Sequence, residues 1–192
     1  MNTLIAVPCM DSVPAVFCQS LAMLKGLGNC KLAFQVGSLI YNSRNKLTNQ
    51  AIKSDADFVL WLDSDMIFND DLLENLMDCG KSFVTGIAHG RRAPHMSCLF
   101  NQIWPSVDRW EGHDYPHEPF KVAGCGFACV LMETKVAEIV YTRNGTAFFP
   151  MRELGEDLAF CKRATEAKIE IWVEPRVWLG HIGHITDYPD YE

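Results

Sequence analysis

The chain has 192 residues, is 48% hydrophobic and carries a net charge of -7, with a mean hydropathy of -0.01. That length suits one substantial core rather than two full domains, so residues 1–192 read as a single soluble globular unit. The negative balance disfavours, without forbidding, a protein that binds by neutralising nucleic-acid phosphates, since the longest basic cluster is Arg91-Arg92 with Lys81 and His89 nearby. No apolar run reaches the ~20 residues of a membrane span, and no basic segment followed by an apolar one opens the chain, so the default expectation is a cytoplasmic protein. The eight cysteines are scattered through apolar segments without a Cys-x-x-Cys pair, which reads as buried small hydrophobes in a reducing compartment.

In chain order, Leu4 to Val7 predicts a buried strand ended by Pro8. Val16 to Leu27 predicts a helix, Lys31 to Val36 a strand, Arg44 to Lys53 a helix and Phe58 to Leu62 the most apolar strand. A helix over Asp71 to Cys79 and a strand over Phe83 to Ile87 follow. Periodicity then disappears between Asn101 and Phe120, a long segment rich in Trp, Pro, His and Asp of the kind that is functional when it occurs inside a compact domain. Val122 to Met132 is apolar but contains Gly124 and Gly126, which suggests close approach of another group to the backbone. A short helix near Lys135 to Val140, an amphipathic helix over Glu153 to Lys168, strands over Ile169 to Val173 and Arg176 to Leu179, and a polar tail over 185–192 complete the chain. Strand–helix alternation predicts an α/β domain whose mostly parallel central sheet is flanked by helices, with its ligand crevice beyond the carboxyl ends of the strands.

The apolar run Val59-Leu60-Trp61-Leu62 stops at Asp63-Ser64-Asp65. If this segment is extended, alternation puts Asp63 and Asp65 on one face, where two carboxylates can converge on a hard cation. A bland alternative is that they turn the chain or cap the next helix. That helix has its own cap candidates in Asn69, Asp70 and Asp71. Asp-x-Asp by itself is a weak motif.

More motifs follow in order: Ser43-Arg44-Asn45 before the Asp-x-Asp strand, the glycine-containing Ala123-Gly124-Cys125-Gly126-Phe127, Gly155-Glu156-Asp157 opening a helix, and His181 after the last strand. Together with Asp63-x-Asp65 they resemble the GT-A class of nucleotide-sugar glycosyltransferases, in a short form similar to its family 2, from Leu4 to about His184. The resemblance implies a metal-dependent transfer of a sugar from a nucleoside-diphosphate sugar, UDP- or GDP-linked, to the hydroxyl of an unidentified acceptor. The cation it implies is Mn2+, with Mg2+ the alternative, held by Asp65, Asp63 and His181; one imidazole among oxygen ligands suits manganese. A divalent ion stabilises charge on a leaving diphosphate.

The resemblance also places Pro8, Asp11, Arg44, Asn45 and Ser64 on the donor, and Asp157 with Glu156 at the acceptor, with inversion favoured and Asp157 as the base. As plain structure, the two acids would serve the helix dipole. Gly124 and Gly126 are its acceptor-side candidates; Trp104 and Trp110, whose flat faces can stack on sugar rings, and His184 are further ones, with 101–120 as the acceptor loop. Trp residues there would equally pin the loop to the core. Phe148 to Arg152 resembles a loop that closes over the donor. Two competing readings are sugar-phosphate nucleotidyl transfer, which lacks its glycine-rich basic loop here, and a non-catalytic nucleotide-sugar-binding domain. A homodimer is compatible with the sequence, but no interface can be read from it.

Overall fold

The computed structural model describes residues 1–182. Its first strand, β1 (Thr3–Cys9), is buried at all seven positions. A strand hidden on both faces needs neighbours on both edges and a layer on each side. β1 pairs in parallel with β2 (Cys30–Val36) and with β3 (Phe58–Leu62). The connections are α1 (Ala15–Met23) and α2 (Ile40–Ile52), which make two β-α-β units. α1 buries Phe17 in one core layer, and α2 buries Leu47 and Ala51 in the other.

Beyond β3 come β4 (Met66–Phe68), α3 (Leu72–Asp78) and β5 (Phe83–Ala88). They are followed by β6 (Leu99–Gln102), β7 (Asp108–Arg109), β8 (Phe120–Val122), β9 (Gly124–Cys125) and β10 (Cys129–Glu133). α4 (Thr134–Asn144), α5 (Glu156–Glu166) and β11 (Ile171–His181) close the described chain. The large sheet runs β2-β1-β3-β10-β5-β11-β4, with β8 also on β11, and a small sheet runs β7-β6-β9. β1, β2, β3, β5 and β11 share one direction, while β10, β4 and β8 run against them. The single α/β domain is as expected, but its sheet is mixed. β10 wedges antiparallel between β3 and β5 because the chain, after the small sheet, re-enters at the carboxyl end by which β5 leaves.

Several boundaries differ from the sequence reading for identifiable reasons. α2 starts at Ile40 rather than Arg44, so that Ser43 and Arg44 lie inside the helix and are buried. α5 starts at Glu156 rather than Glu153, because Met151 and Leu154 exchange backbone hydrogen bonds of 3.0 and 3.2 Å in a tight turn. It stops before Lys168, which takes a left-handed φ of 66°. The two strands expected after it are one, β11, whose register shifts between Val173 and Trp178. Glu174, 1% exposed, holds that bulge by accepting from the Arg176 backbone N–H at 3.0 Å and from its guanidinium at 2.8 Å. Gly86 of β5 is what lets β11 come so near, since a Cβ there would lie 2.6 Å from Val177 Cγ1.

Two core layers sandwich the sheet. Trp61, Phe127, Phe148 and Phe160 interlock edge-to-face and stacked under α2, α4 and α5. Phe17, Phe68, Leu72 and Leu76 fill the opposite layer under α1 and α3. Of the cysteines, Cys9, Cys125, Cys129 and Cys161 are buried as small hydrophobes, whereas Cys18 is exposed. Among the described residues, no helix is long and apolar enough to cross a membrane.

Candidate active site

A cleft of about 290 Å³ opens at the carboxyl ends of β1, β2 and β3, lined by Pro8, Cys9, Met10, Gly37, Ser38, Ile40, Arg44, Asp63, Ser64, Asp65, Arg91, Glu156 and Asp157. Asp63, Ser64 and Asp65 form the turn joining β3 to β4 rather than an extended strand end. Strand alternation is therefore not what brings the two carboxylates to one cleft. The turn does so, closed by the Met66 N–H donating to the Asp63 carbonyl at 3.3 Å. Neither carboxylate caps α3, whose cap residue Asp71 makes no side-chain cap bond.

Each carboxylate has a cationic partner. Arg44 reaches the site from α2, and its guanidinium donates to Asp63 Oδ1 at 2.8 Å and to Glu156 Oε1 at 3.3 Å, and is ion-paired with Asp157. It is 2% exposed and lies over the rings of Phe127 and Phe148, with centroids 5.3 and 5.7 Å away. Three carboxylates from two distant segments thus close on one buried cation. A guanidinium suits that place, since its donors fan out in a plane and it keeps its charge when desolvated. Burial raises the pKa of Asp63 above the ordinary range, an effect that the Arg44 charge and hydrogen bond offset only in part. Asp65 pairs instead with Arg91, a side chain 55% exposed.

Glu156 and Asp157 occupy the first turn of α5, where the helix dipole favours them. Asp157 Oδ2 also accepts the Phe127 backbone N–H at 3.2 Å. Gly124 helps explain how α5 comes so near. A Cβ on Gly124 would lie 2.8 Å from Ile103 Cγ2 and 3.2 Å from Leu158 Cδ2, and one on Gly126 would lie 3.3 Å from Cys98 Cβ. Gly124 thus serves the packing of α5, and Gly126 the packing against Cys98.

His181 ends β11 opposite Met66, and the neighbouring Ile182 N–H donates to the Asp65 carbonyl at 2.8 Å. The imidazole's backbone is thereby tied to that of Asp65, and it acts electrostatically on Asp63. Among the described residues, no three His, Cys, Asp or Glu side chains converge as a ready-made metal cage. The donor types at Asp63, Asp65 and His181 nonetheless fit a hard divalent ion. His184 lies outside the described residues.

Other expected residues are placed elsewhere. Asn45 turns away from the cleft: its carboxamide oxygen accepts from Thr146 Oγ1 at 3.2 Å and from the N–H groups of Ala147 and Phe148 at 3.1 and 2.9 Å. The start of the segment expected to close over the donor is accordingly pinned, and Arg163 adds bonds to the carbonyls of Ala147 and Phe149 at 3.0 and 2.6 Å. Asp11 is exposed and accepts from Ser12 Oγ at 3.1 Å. Trp104 is exposed beside α5, with Lys162 Nζ 4.9 Å from its ring centroid. Trp110 stacks on Tyr115 and packs on Phe120, centroids 5.7 and 5.0 Å away, so it pins the 101–120 segment to the core.

Met10, Gly37 and Ile40 were not picked out from the sequence; their signal was position, since each lies just beyond β1 or β2. His89, read in the sequence only as part of a basic cluster, lies outside the cleft lining. It stands at the end of β5 among His113, Tyr115 and Trp178, with Tyr115 Oη 2.9 Å from its Nε2. Burial, followed by the charges of His113, His95 and His181, lowers its pKa to about 4.

No protein-family model matches this chain, and no curated protein matches it in sequence. Solved structures do. The chain superposes on A197 from STIV with a TM-score of 0.70 at 18% identity, over 95% of this chain and 86% of that one. It also superposes on GalNAc-T7, solved with UDP, GalNAc and Mn2+, with a TM-score of 0.60 at 8% identity, over 99% of this chain. The fold is GT-A-like. This GT-A-like chain spans 45% of the length of the GalNAc-T7 chain.

Proposed function

We propose that the protein is a glycosyltransferase that moves a sugar from a nucleoside-diphosphate sugar to an acceptor hydroxyl, using a divalent cation. The observation that carries this reading is the charge balance of the cleft. Among the described residues that line it, four carboxylates face two guanidinium groups, an excess of two negative charges. An anionic diphosphate would be repelled by such a site, and a divalent cation cancels that excess. The similarity to a structure holding UDP, GalNAc and Mn2+ supports the same reading.

Mn2+, or Mg2+, would be held by Asp65 with Asp63 and His181, and when bound would supply a Lewis acid for the departing diphosphate. Pro8, Ser64 and the cleft residues Met10 and Ile40 wall the donor side. Arg44 acts as a positioning residue: it fixes Asp63, Glu156 and Asp157 relative to one another. Asp157, at the start of α5, takes the proton of the acceptor hydroxyl as that oxygen bonds to the anomeric carbon, and the bond from that carbon to the diphosphate breaks with its electron pair leaving on the phosphate. This is an inverting displacement. Glu156 orients the acceptor.

The test is a thermal-shift screen of UDP-, GDP-, CMP- and dTDP-sugars with Mn2+ and with a chelator, on the wild type and Asp65→Ala. A ligand that binds the folded state raises the melting temperature by mass action. One nucleotide stabilising only with metal, and only in the wild type, is the expected result. Stabilisation that ignores both the chelator and the substitution would sink the metal-dependent reading. Metal-dependent binding without sugar release or transfer would favour a binding domain.

A further inference from the structure

Resting on the metal-dependent reading above, we propose that Arg91 occupies Asp65 in the empty site, competes there with the divalent cation, and passes to the diphosphate when the nucleotide arrives. The two guanidinium groups of the cleft differ in what they can do. Arg44 is 2% exposed and shared by three carboxylates, so it has no freedom to follow a ligand. Among the described residues Arg91 has one ion-pair partner, Asp65, and its side chain is 55% exposed.

The backbone beneath Arg91 is fixed. His89 bridges to Ser97, the Gly90 N–H donates to the Met96 carbonyl at 2.9 Å, and the His95 N–H donates to the Arg92 carbonyl at 2.8 Å. Gly90 to Met96 is thus a loop closed at its base, and the moving part is the long side chain. A solvated ion pair of this kind is weak enough to exchange. Arg91 faces the same carboxylate that the cation needs, and a cation on Asp65 would repel it into the cleft, where a diphosphate offers anionic oxygens in the paired geometry a guanidinium prefers. One side chain then opposes metal binding in the empty enzyme and favours nucleotide binding in the loaded one.

The opposite signs make the proposal testable with two probes, Mn2+ alone and UDP in saturating Mn2+, on the whole chain carrying Arg91→Gln. Free Mn2+ is followed by electron paramagnetic resonance and UDP binding by calorimetry. The variant is expected to bind Mn2+ about five-fold tighter than wild type and UDP about five-fold more weakly. A variant that merely misfolds would lose both. Equal Mn2+ affinity, or equal UDP affinity, in the two proteins overturns the exchange. Asp65→Asn separates the underlying reading: if it binds Mn2+ as well as wild type, the metal assignment fails, whatever Arg91 does. If no protein of the three binds Mn2+, both are overturned.

Discussion

Arg44 of α2 and Asp63, 19 positions further along the chain, meet through a 2.8 Å hydrogen bond between Nη2 and Oδ1. The same guanidinium reaches Glu156 and Asp157, more than a hundred residues away. The Asp-x-Asp turn and the start of α5 are therefore held as one unit by a buried cation.

Removing that cation should be costly. Arg44→Met leaves three carboxylates facing each other without their counter-charge, and breaking a buried pair from one side costs about 3 to 5 kcal/mol. Urea denaturation at neutral pH should show a loss of that order. A loss under about 1 kcal/mol would mean that the cluster is not organised by Arg44.

His89 predicts an acid sensitivity. Its pKa is about 4 when folded against 6.5 for the free side chain. Below pH 6.5 the unfolded chain takes up a proton that the folded one does not. The stability this residue contributes is thus present above pH 6.5 and is lost as pH falls toward 4. The melting temperature should drop between pH 7 and pH 5 by less in His89→Gln than in the wild type. Identical pH slopes would contradict it.

Asn45→Ala should destabilise the protein by about 2 kcal/mol, because the N–H groups of Ala147 and Phe148 lose their acceptor. Nucleotide affinity measured on the folded variant should stay within a factor of two of wild type. A large affinity loss with unchanged stability would restore Asn45 to the donor site.

Gly86→Ala tests the contact between β5 and β11. The new methyl would stand 2.6 Å from Val177 Cγ1 and 3.0 Å from the Val177 carbonyl oxygen, so a backbone shift is required. A destabilisation of about 2 kcal/mol is expected by chemical denaturation. A neutral outcome would show that the bulge at Glu174 absorbs the strain.

The local signals in the sequence were enough for the α/β class, for most elements and for the stretches that carry Asp63, Asp65, Glu156 and Asp157. Apolar periodicity and strand–helix alternation are short-range properties, written directly in neighbouring residues. β4 escaped because three residues leave no period to read, and the bulge in β11 looked like a break because Pro175 interrupts the apolar run. Asn45 shows the other limit. Its place beside Arg44 suggested a shared role, yet on a helix neighbours in sequence point about 100° apart, and the two side chains serve different partners.

What the chain by itself determined is which chemistry-bearing residues exist and that strand ends would carry several of them. What only the tertiary structure decided is who holds whom: that Arg44 is spent on three carboxylates, that Arg91 is left on Asp65, and that β10 runs backward through the sheet. Those outcomes depend on segments far apart in sequence competing for the same buried space, and charge pairing at such range has no local signature.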